Sequence, residues 1–360
     1  MRPVSRPRIA IVLFNLGGPD RPEAVRPFLR NLFGDPAILR VGPFLRPFLA
    51  RFIAARRAGP AGRNYALLGG SSPLLGLTEQ QARALAAALP ELDARCFVAM
   101  RYWHPMSEAV AREVAAWRPS EVLLLPLYPQ FSTTTTGSSL AAWREAAARA
   151  GLVAPVTTIC CYPDDPGYAA SVAALVRHAW DEARAAVPAP TGLRVLFSAH
   201  GLPESIVRAG DPYAMQIRAS VAAVIAAIGL PGLDSVVCFQ SRVTPQRWLS
   251  PSTDAEIERA ARDRVAVLVV PIAFVSDHSE TLVELDIEYR ELAEKLGVPG
   301  YFRAPVPNAD PAFIAALAGL VRRARGHGPG LCALRPGGIC GPEHRDCPHR
   351  RAAPGHGAAP

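Results

Sequence analysis

Short runs rich in Val, Ile and Leu recur along this chain, and they do so twice in the same order. The first half gives IAIVLFNL at 9–16, RCFVAMRY at 95–102, EVLLLPLYP at 121–129 and VTTICCYP at 156–163. The second half gives RVLFSAH at 194–200, SVVCFQSR at 235–242, VAVLVVPIAF at 265–274 and PGYFRAP at 299–305. Runs apolar on both faces suit strands of a parallel sheet covered by helices. Ala-rich segments of helical spacing lie between them, at 77–89, 106–117, 138–150, 169–187, 213–228, 253–263, 281–296 and 311–325. This alternation predicts an α/β fold of two units, each a four-stranded parallel sheet flanked by helices.

The halves also match in kind: VLFNLGGP at 12–19 parallels VLFSAHGLP at 195–203, and LLLPLYPQFSTTTT at 123–136 parallels VLVVPIAFVSDHSET at 267–281. Strands two to four are displaced between halves by about 140 residues and strand one by about 185, which leaves an insertion of about 45 residues in the first half. Internal duplication is the simple reading; two unrelated α/β domains are the alternative. The expected domains are 8–187, with the insertion near 31–72, and 193–325, joined across the Pro- and Gly-containing stretch 188–192. The tail, 326–360, turns to Gly, Pro, Arg, His and Cys and cannot build a core of its own.

The formal net charge is +8, almost all of it from arginine. That balance suits acidic partners, yet no basic stripe with interleaved aromatics argues for nucleic acid. The apolar run at 9–16 holds Asn15 and closes on Gly17-Gly18-Pro19, so it reads as a strand and not as a leader. No apolar run reaches the roughly 18 residues of a membrane span. The chain reads as cytoplasmic, where its seven cysteines are thiols or metal ligands before they are disulfides.

In open parallel sheets ligands bind at the carboxyl ends of strands. The second half places there His200, then Gln240, Ser241 and Arg242 with Trp248 beyond, then Asp277, His278, Glu280 and Glu284. The first half places Asn15, Arg101, Tyr102 and the run 132–136. Singly these are weak signals: a strand-end histidine is often structural, and Asp277 and Glu280 could cap a helix. Together an imidazole and carboxylates can accept protons and hold a divalent metal.

LLGGSSPL, LYPQFSTTTTGSS, SAHGLPESIVRAGDPY, CFQSRVTPQRWLSPST and PIAFVSDHSETLVELDIEY, in this order along the chain, resemble the ferrochelatases, which insert ferrous iron into a porphyrin. The resemblance runs from about Ile9 to Arg325. It implies two Rossmann-like domains with a cleft between them. It also implies a catalytic His200 paired with Glu280, both of which could contact the Fe2+ substrate. Asp277, His278 and Glu284 would relay protons or metal. Trp248 and Phe274 would wall the macrocycle, with Arg101 and Tyr102 opposite. The insertion would form a lip over the porphyrin, Arg57 and Ser72 matching propionate contacts in a loop that otherwise departs from relatives.

Phe44, Leu45, Phe48, Leu49, Phe52 and Ile53 form an apolar stripe beside several arginines. This suits peripheral contact with the cytoplasmic face of an anionic membrane, where the preceding pathway enzyme would hand over porphyrin; a helix packed on its own domain is the alternative. Within the resemblance, protoporphyrin IX is the expected substrate. Coproporphyrin, another metal in a class II tetrapyrrole chelatase, and a non-catalytic porphyrin or haem carrier are the alternatives.

Some ferrochelatases carry a 2Fe–2S cluster on C-terminal cysteines and one from the body of the chain. Here Cys332, Cys340 and Cys347 supply three thiols. Thr133 stands where some relatives have the fourth, and Cys160 or Cys161 would substitute. Free thiols, or zinc with His344 or His349, are the alternatives.

Overall fold

The structure, a computed structural model, describes residues 7–241, 246–332 and 338–351. Arg242 and the tail residues 333–337 and 352–360 lie outside the described residues. The elements begin β1 (Arg8–Asn15), α1 (Val25–Gly34), α2 (Arg46–Ala66), α3 (Leu74–Ala87), β2 (Asp93–Met100), α4 (Ser107–Trp117), β3 (Glu121–Pro126), α5 (Ser138–Arg149) and β4 (Val156–Ile159). They continue α6 (Pro166–Ala186), β5 (Leu193–His200), α7 (Glu204–Arg208), α8 (Tyr213–Ile228), β6 (Ser235–Gln240), α9 (Thr253–Asp263) and β7 (Ala266–Pro271). The last are α10 (Tyr289–Leu296), β8 (Tyr301–Arg303), α11 (Pro311–His327), β9 (Gly330–Cys332) and α12 (Pro348–Arg351).

Two compact units divide the chain, one of residues 1–161 with 317–339, the other of 162–316 with 340–360. The first holds a five-stranded parallel sheet in the order β2-β1-β3-β4-β9; the second holds a four-stranded parallel sheet in the order β6-β5-β7-β8. The first four strands of one sheet thus repeat the order of the other. The fifth strand corrects the expectation of four. β9 comes from the tail, where Cys332 pairs in register with Ile159. The pairing of β9 with β4 gives part of the tail an ordered place without a core of its own.

The units part near Cys161 rather than at 188–192. α6 packs with α8, and its Tyr168 hydroxyl donates to the carbonyl of Ile272 at 2.9 Å, so the helix serves the second sheet. The central strands are buried end to end, as two covered faces require: Ile9 to Phe14 and Val195 to Phe197 are almost wholly shielded from water. Phe14 meets Trp143 edge to face, with ring centroids 5.9 Å apart, and anchors the first core.

Candidate active site

β5 lies between β6 and β7, which is where the strand order of the second sheet reverses. A crevice opens beyond the carboxyl ends of strands at such a point. The last residue of β5 is His200, in register with Gln240 at the end of β6. Gly201 follows because nothing larger fits. A Cβ there would come within 2.8 Å of the Gln240 carbonyl and 3.3 Å of the Trp248 indole. The Tyr213 hydroxyl donates to the His200 carbonyl at 3.0 Å and pins the strand end from α8.

Beyond β7 the chain runs through Phe274 and His278 into a π-helical stretch, Glu280–Glu288. Wide turns of this kind occur often at functional sites. Oε2 of Glu280 lies 2.8 Å from Nδ1 of His200 and 3.9 Å from Nε2 of His278. The Nδ1 of His278 faces the Ser276 carbonyl at 3.2 Å; a carbonyl only accepts, so that nitrogen carries a proton. The Phe274 ring lies 4.8 Å from the His278 ring, centroid to centroid.

Burial opposes charge on His200, but the charge and hydrogen bond of Glu280, with the charge of Glu284, outweigh it and raise the imidazole pKa. Burial likewise opposes charge on Glu280, yet the two histidines win and lower its pKa to about 2. Burial dominates at His278, whose pKa falls. Glu284 is raised by burial first and then by the neighbouring charge of Glu280. It is still held on every side: Gln240 donates to Oε2 at 3.0 Å, the Ser241 backbone to Oε1 at 2.9 Å, and the Ser241 and Tyr289 hydroxyls also reach it. Ser241 takes a left-handed φ of 63° to present that backbone donor.

Asp277 stands apart from this line. Its carboxylate accepts from Thr281 at 2.8 Å and from Asn308 at 2.8 Å, and Arg303 stands 3.5 Å away. Both oxygens are thus engaged in holding the loop.

The other expected residues lie in the first unit. Arg101 follows β2 and donates to Asp35 at 2.8 Å and to Ser138 at 2.6 Å. Tyr102 donates to the same Asp35 oxygen at 2.8 Å, and Ser138 donates to it as well. Asp35, its side chain only 2% exposed, therefore organises three donors, and it was not among the residues singled out by motif. A signal existed: between Glu23 and Glu79 the chain carries eight arginines and one carboxylate, Asp35. Asp35 and Arg101 line a cavity of about 460 Å³ together with Arg30, Arg46, Arg51 and Met106. Arg57 lies over the Phe33 ring, and Ser72 packs on Gly18, so neither is drawn into the Asp35 group.

α2 buries an alanine face and leaves Phe48 and Phe52 of the apolar stripe on its open side, with Phe44 exposed just before the helix. Ala50 and Ala54 are buried, while Phe44, Phe48 and Phe52 are 91%, 68% and 67% exposed. Among the described residues no helix is long and apolar enough to cross a membrane.

The cysteines form two close pairs. In the first unit Cys160 and Cys161 hold their sulfurs 3.4 Å apart. In the second, a hydrogen bond from Cys340, helped by the backbone near His349 and Arg350, lowers the Cys347 pKa to about 6 against the effect of burial. A thiolate at neutral pH is what metal ligation needs. A 2Fe–2S cluster needs four ligands, however, and among the described residues no three His, Cys, Asp or Glu side chains gather into a metal-binding group. The donor chemistry suits a cluster; the arrangement does not assemble its ligand set.

Residues 8–325 match the family model described as Ferrochelatase. The chain is 51% identical over 350 residues to the ferrochelatase of Caulobacter vibrioides strain NA1000 / CB15N, covering 96% of this chain and 99% of that protein. It is 52% identical over 336 residues to the ferrochelatase of Phenylobacterium zucineum strain HLK1, covering 90% and 95%. In fold it is similar to the sirohydrochlorin chelatase SirB from Bacillus subtilis subspecies spizizenii in complex with cobalt. That match has a TM-score of 0.50 and 12% identity, over 89% of this chain and 96% of the other.

Proposed function

The chain belongs to the ferrochelatase family, and on that premise we propose that His200 and Glu280 are its catalytic pair. The reaction is insertion of ferrous iron into a porphyrin in haem biosynthesis, a lyase reaction with Fe2+ as substrate. It must remove two pyrrole protons. With Nδ1 of His200 committed to Glu280, Nε2 is left to accept a proton, and Glu280 stabilises the imidazolium that forms. The observation that carries this reading is the 2.8 Å contact between these groups at the reversal point of the sheet.

His278, with Nε2 directed at Glu280, and Glu284, raised in pKa, extend the dyad into a line along which protons leave or metal enters. Asp277 is a positioning residue, since its oxygens are bound to Thr281 and Asn308. Phe274 and Trp248, packed beside His278 and Gly201, wall the macrocycle. Arg101, set by Asp35, contacts the porphyrin from the first unit; Tyr102, expected beside it, is wholly buried and acts from behind by holding Asp35, and Arg57 and Ser72 meet the propionates. A 2Fe–2S cluster would draw two thiolates from Cys340 and Cys347 and would have to recruit Cys332 and one of Cys160 and Cys161, which do not gather with them among the described residues.

Protoporphyrin IX is the substrate of choice on this reading. The exposed Phe44, Phe48 and Phe52 favour peripheral docking on the cytoplasmic membrane face, where an apolar porphyrin leaves the preceding enzyme. Anaerobic iron insertion, run separately with protoporphyrin and coproporphyrin and with His200→Ala as control, tests this. Wild-type turnover favouring protoporphyrin is expected. Tight porphyrin binding without turnover would make the protein a carrier instead.

A further inference from the structure

Arg26 and Arg30 stand one helical turn apart on α1, and Arg51 faces them from α2 across a cavity of about 210 Å³ floored by Ala54. Like charges at i and i+4 repel, and none of the three arginines has an ion-pair or hydrogen-bond partner among the described residues. No carboxylate lines this cavity. The deficit is built into the segment, since Asp35, the single carboxylate between Glu23 and Glu79, is already bound to Arg101, Tyr102 and Ser138. Three guanidinium groups from two helices, around a space that admits a small anion, supply the forked donors that phosphate oxygens accept.

We propose that the cavity lined by Arg26, Arg30 and Arg51 is a phosphate-binding site, separate from the porphyrin-metallating dyad. Phosphate of this chemistry could be free or belong to a lipid headgroup. The lipid source rests on the docking of α2 proposed above. It is favoured by position, because Arg51 stands between Phe48 and Phe52, both strongly exposed, on the same helix. A headgroup seated among the three arginines would fix the depth and orientation of those rings at an anionic surface.

The test uses the full chain and three single variants, Arg26→Gln, Arg51→Gln and Arg63→Gln. The last removes one charge from α2 outside the cavity. Inorganic phosphate is titrated calorimetrically. Cosedimentation is measured with vesicles of phosphatidylcholine alone and with phosphatidylglycerol added. Saturable binding weakened about tenfold by Arg26→Gln and Arg51→Gln, and less than about twofold by Arg63→Gln, supports the site. That pattern with phosphatidylglycerol vesicles assigns the lipid source, and with inorganic phosphate only, the free anion. No saturable binding to either probe overturns the site. Equal losses in all three variants also overturn it, since they would report diffuse charge. A raised porphyrin KM in Arg26→Gln would make the occupant a substrate carboxylate and overturn it too. Iron insertion with detergent-dispersed porphyrin is measured in parallel; its absence from the wild type sinks the functional reading and leaves the phosphate site standing.

Discussion

Glu280 holds Nδ1 of His200 at 2.8 Å, and each group shifts the other toward its charged form. The imidazole that must accept a pyrrole proton is therefore primed as a base but is itself protonated further up the pH scale than a free histidine. Both side chains stay partly open to solvent, 36% and 26% exposed, as groups that meet a substrate should be.

Removing the base should remove the chemistry. His200→Ala is expected to lower kcat for iron insertion by about 10²–10⁴-fold, the range for a lost general base, while porphyrin still binds. Anaerobic turnover and fluorescence quenching of bound porphyrin read the two effects separately. Turnover within threefold of wild type would take His200 out of the mechanism.

Glu280→Gln should move the acid limb of the rate profile. Without the carboxylate, burial of His200 is opposed only by the charge of Glu284, so its pKa falls and the limb shifts to lower pH while the maximal rate drops. The pair also stabilises the fold within a window. The raised His200 contributes below 6.5 and loses its share as pH climbs through its folded pKa. The lowered Glu280 contributes above 4.5 and loses its share as pH falls toward 2. The stability gap between wild type and Glu280→Gln should thus be widest between about pH 4.5 and 6.5 and narrow on either side. Denaturant midpoints across that range measure it; a constant gap would mean that the two groups do not titrate as a pair.

The strands were legible because burial on both faces forces continuous apolar runs, as in Ile9–Phe14 and Val267–Val270. His200 stood out in sequence as the polar end of an apolar strand run, whereas its pairing with Glu280, beyond β7 in the π-helical stretch, came only from the resemblance to the ferrochelatases. The allegiance of α6 was not, since its sequence shows a helix but not which sheet it covers; the Tyr168–Ile272 bond that decides it spans 104 residues. β9 is three residues long and below the reach of any periodicity. The surplus of arginines around the single carboxylate Asp35 marks that residue but not its partners, because Arg101 and Ser138 lie 66 and 103 residues away in sequence.

Asp35→Asn should cost stability and porphyrin affinity together. The Asp35–Arg101 pair is largely shielded, and removing one charge of such a pair leaves the other uncompensated at about 3–5 kcal/mol. Asparagine could still accept one of the three donors, which places the loss toward the lower end. Chemical denaturation measures the first effect. The second appears as a raised porphyrin KM with kcat little changed, since the dyad lies on the other unit. An unchanged KM would restrict Asp35 to holding the fold.

Cys340→Ser separates a hydrogen-bonded thiol pair from a cluster ligand. In metal-free protein the Cys347 thiolate should form through pH about 6, because Cys340 donates to it more strongly than burial opposes. A serine hydroxyl at 340 can still donate, so the thiolate absorbance should persist in Cys340→Ser, whereas Cys340→Ala should shift its titration upward toward the ordinary thiol range. A cluster answers differently: serine is a poor substitute for thiolate, so the visible absorbance of protein purified without oxygen should bleach in both variants. Colourless wild-type protein whose Cys347 titrates near 6 would mark the pair as a reactive dithiol without a cluster. Coloured protein that keeps its spectrum in both variants would exclude Cys340 as a ligand.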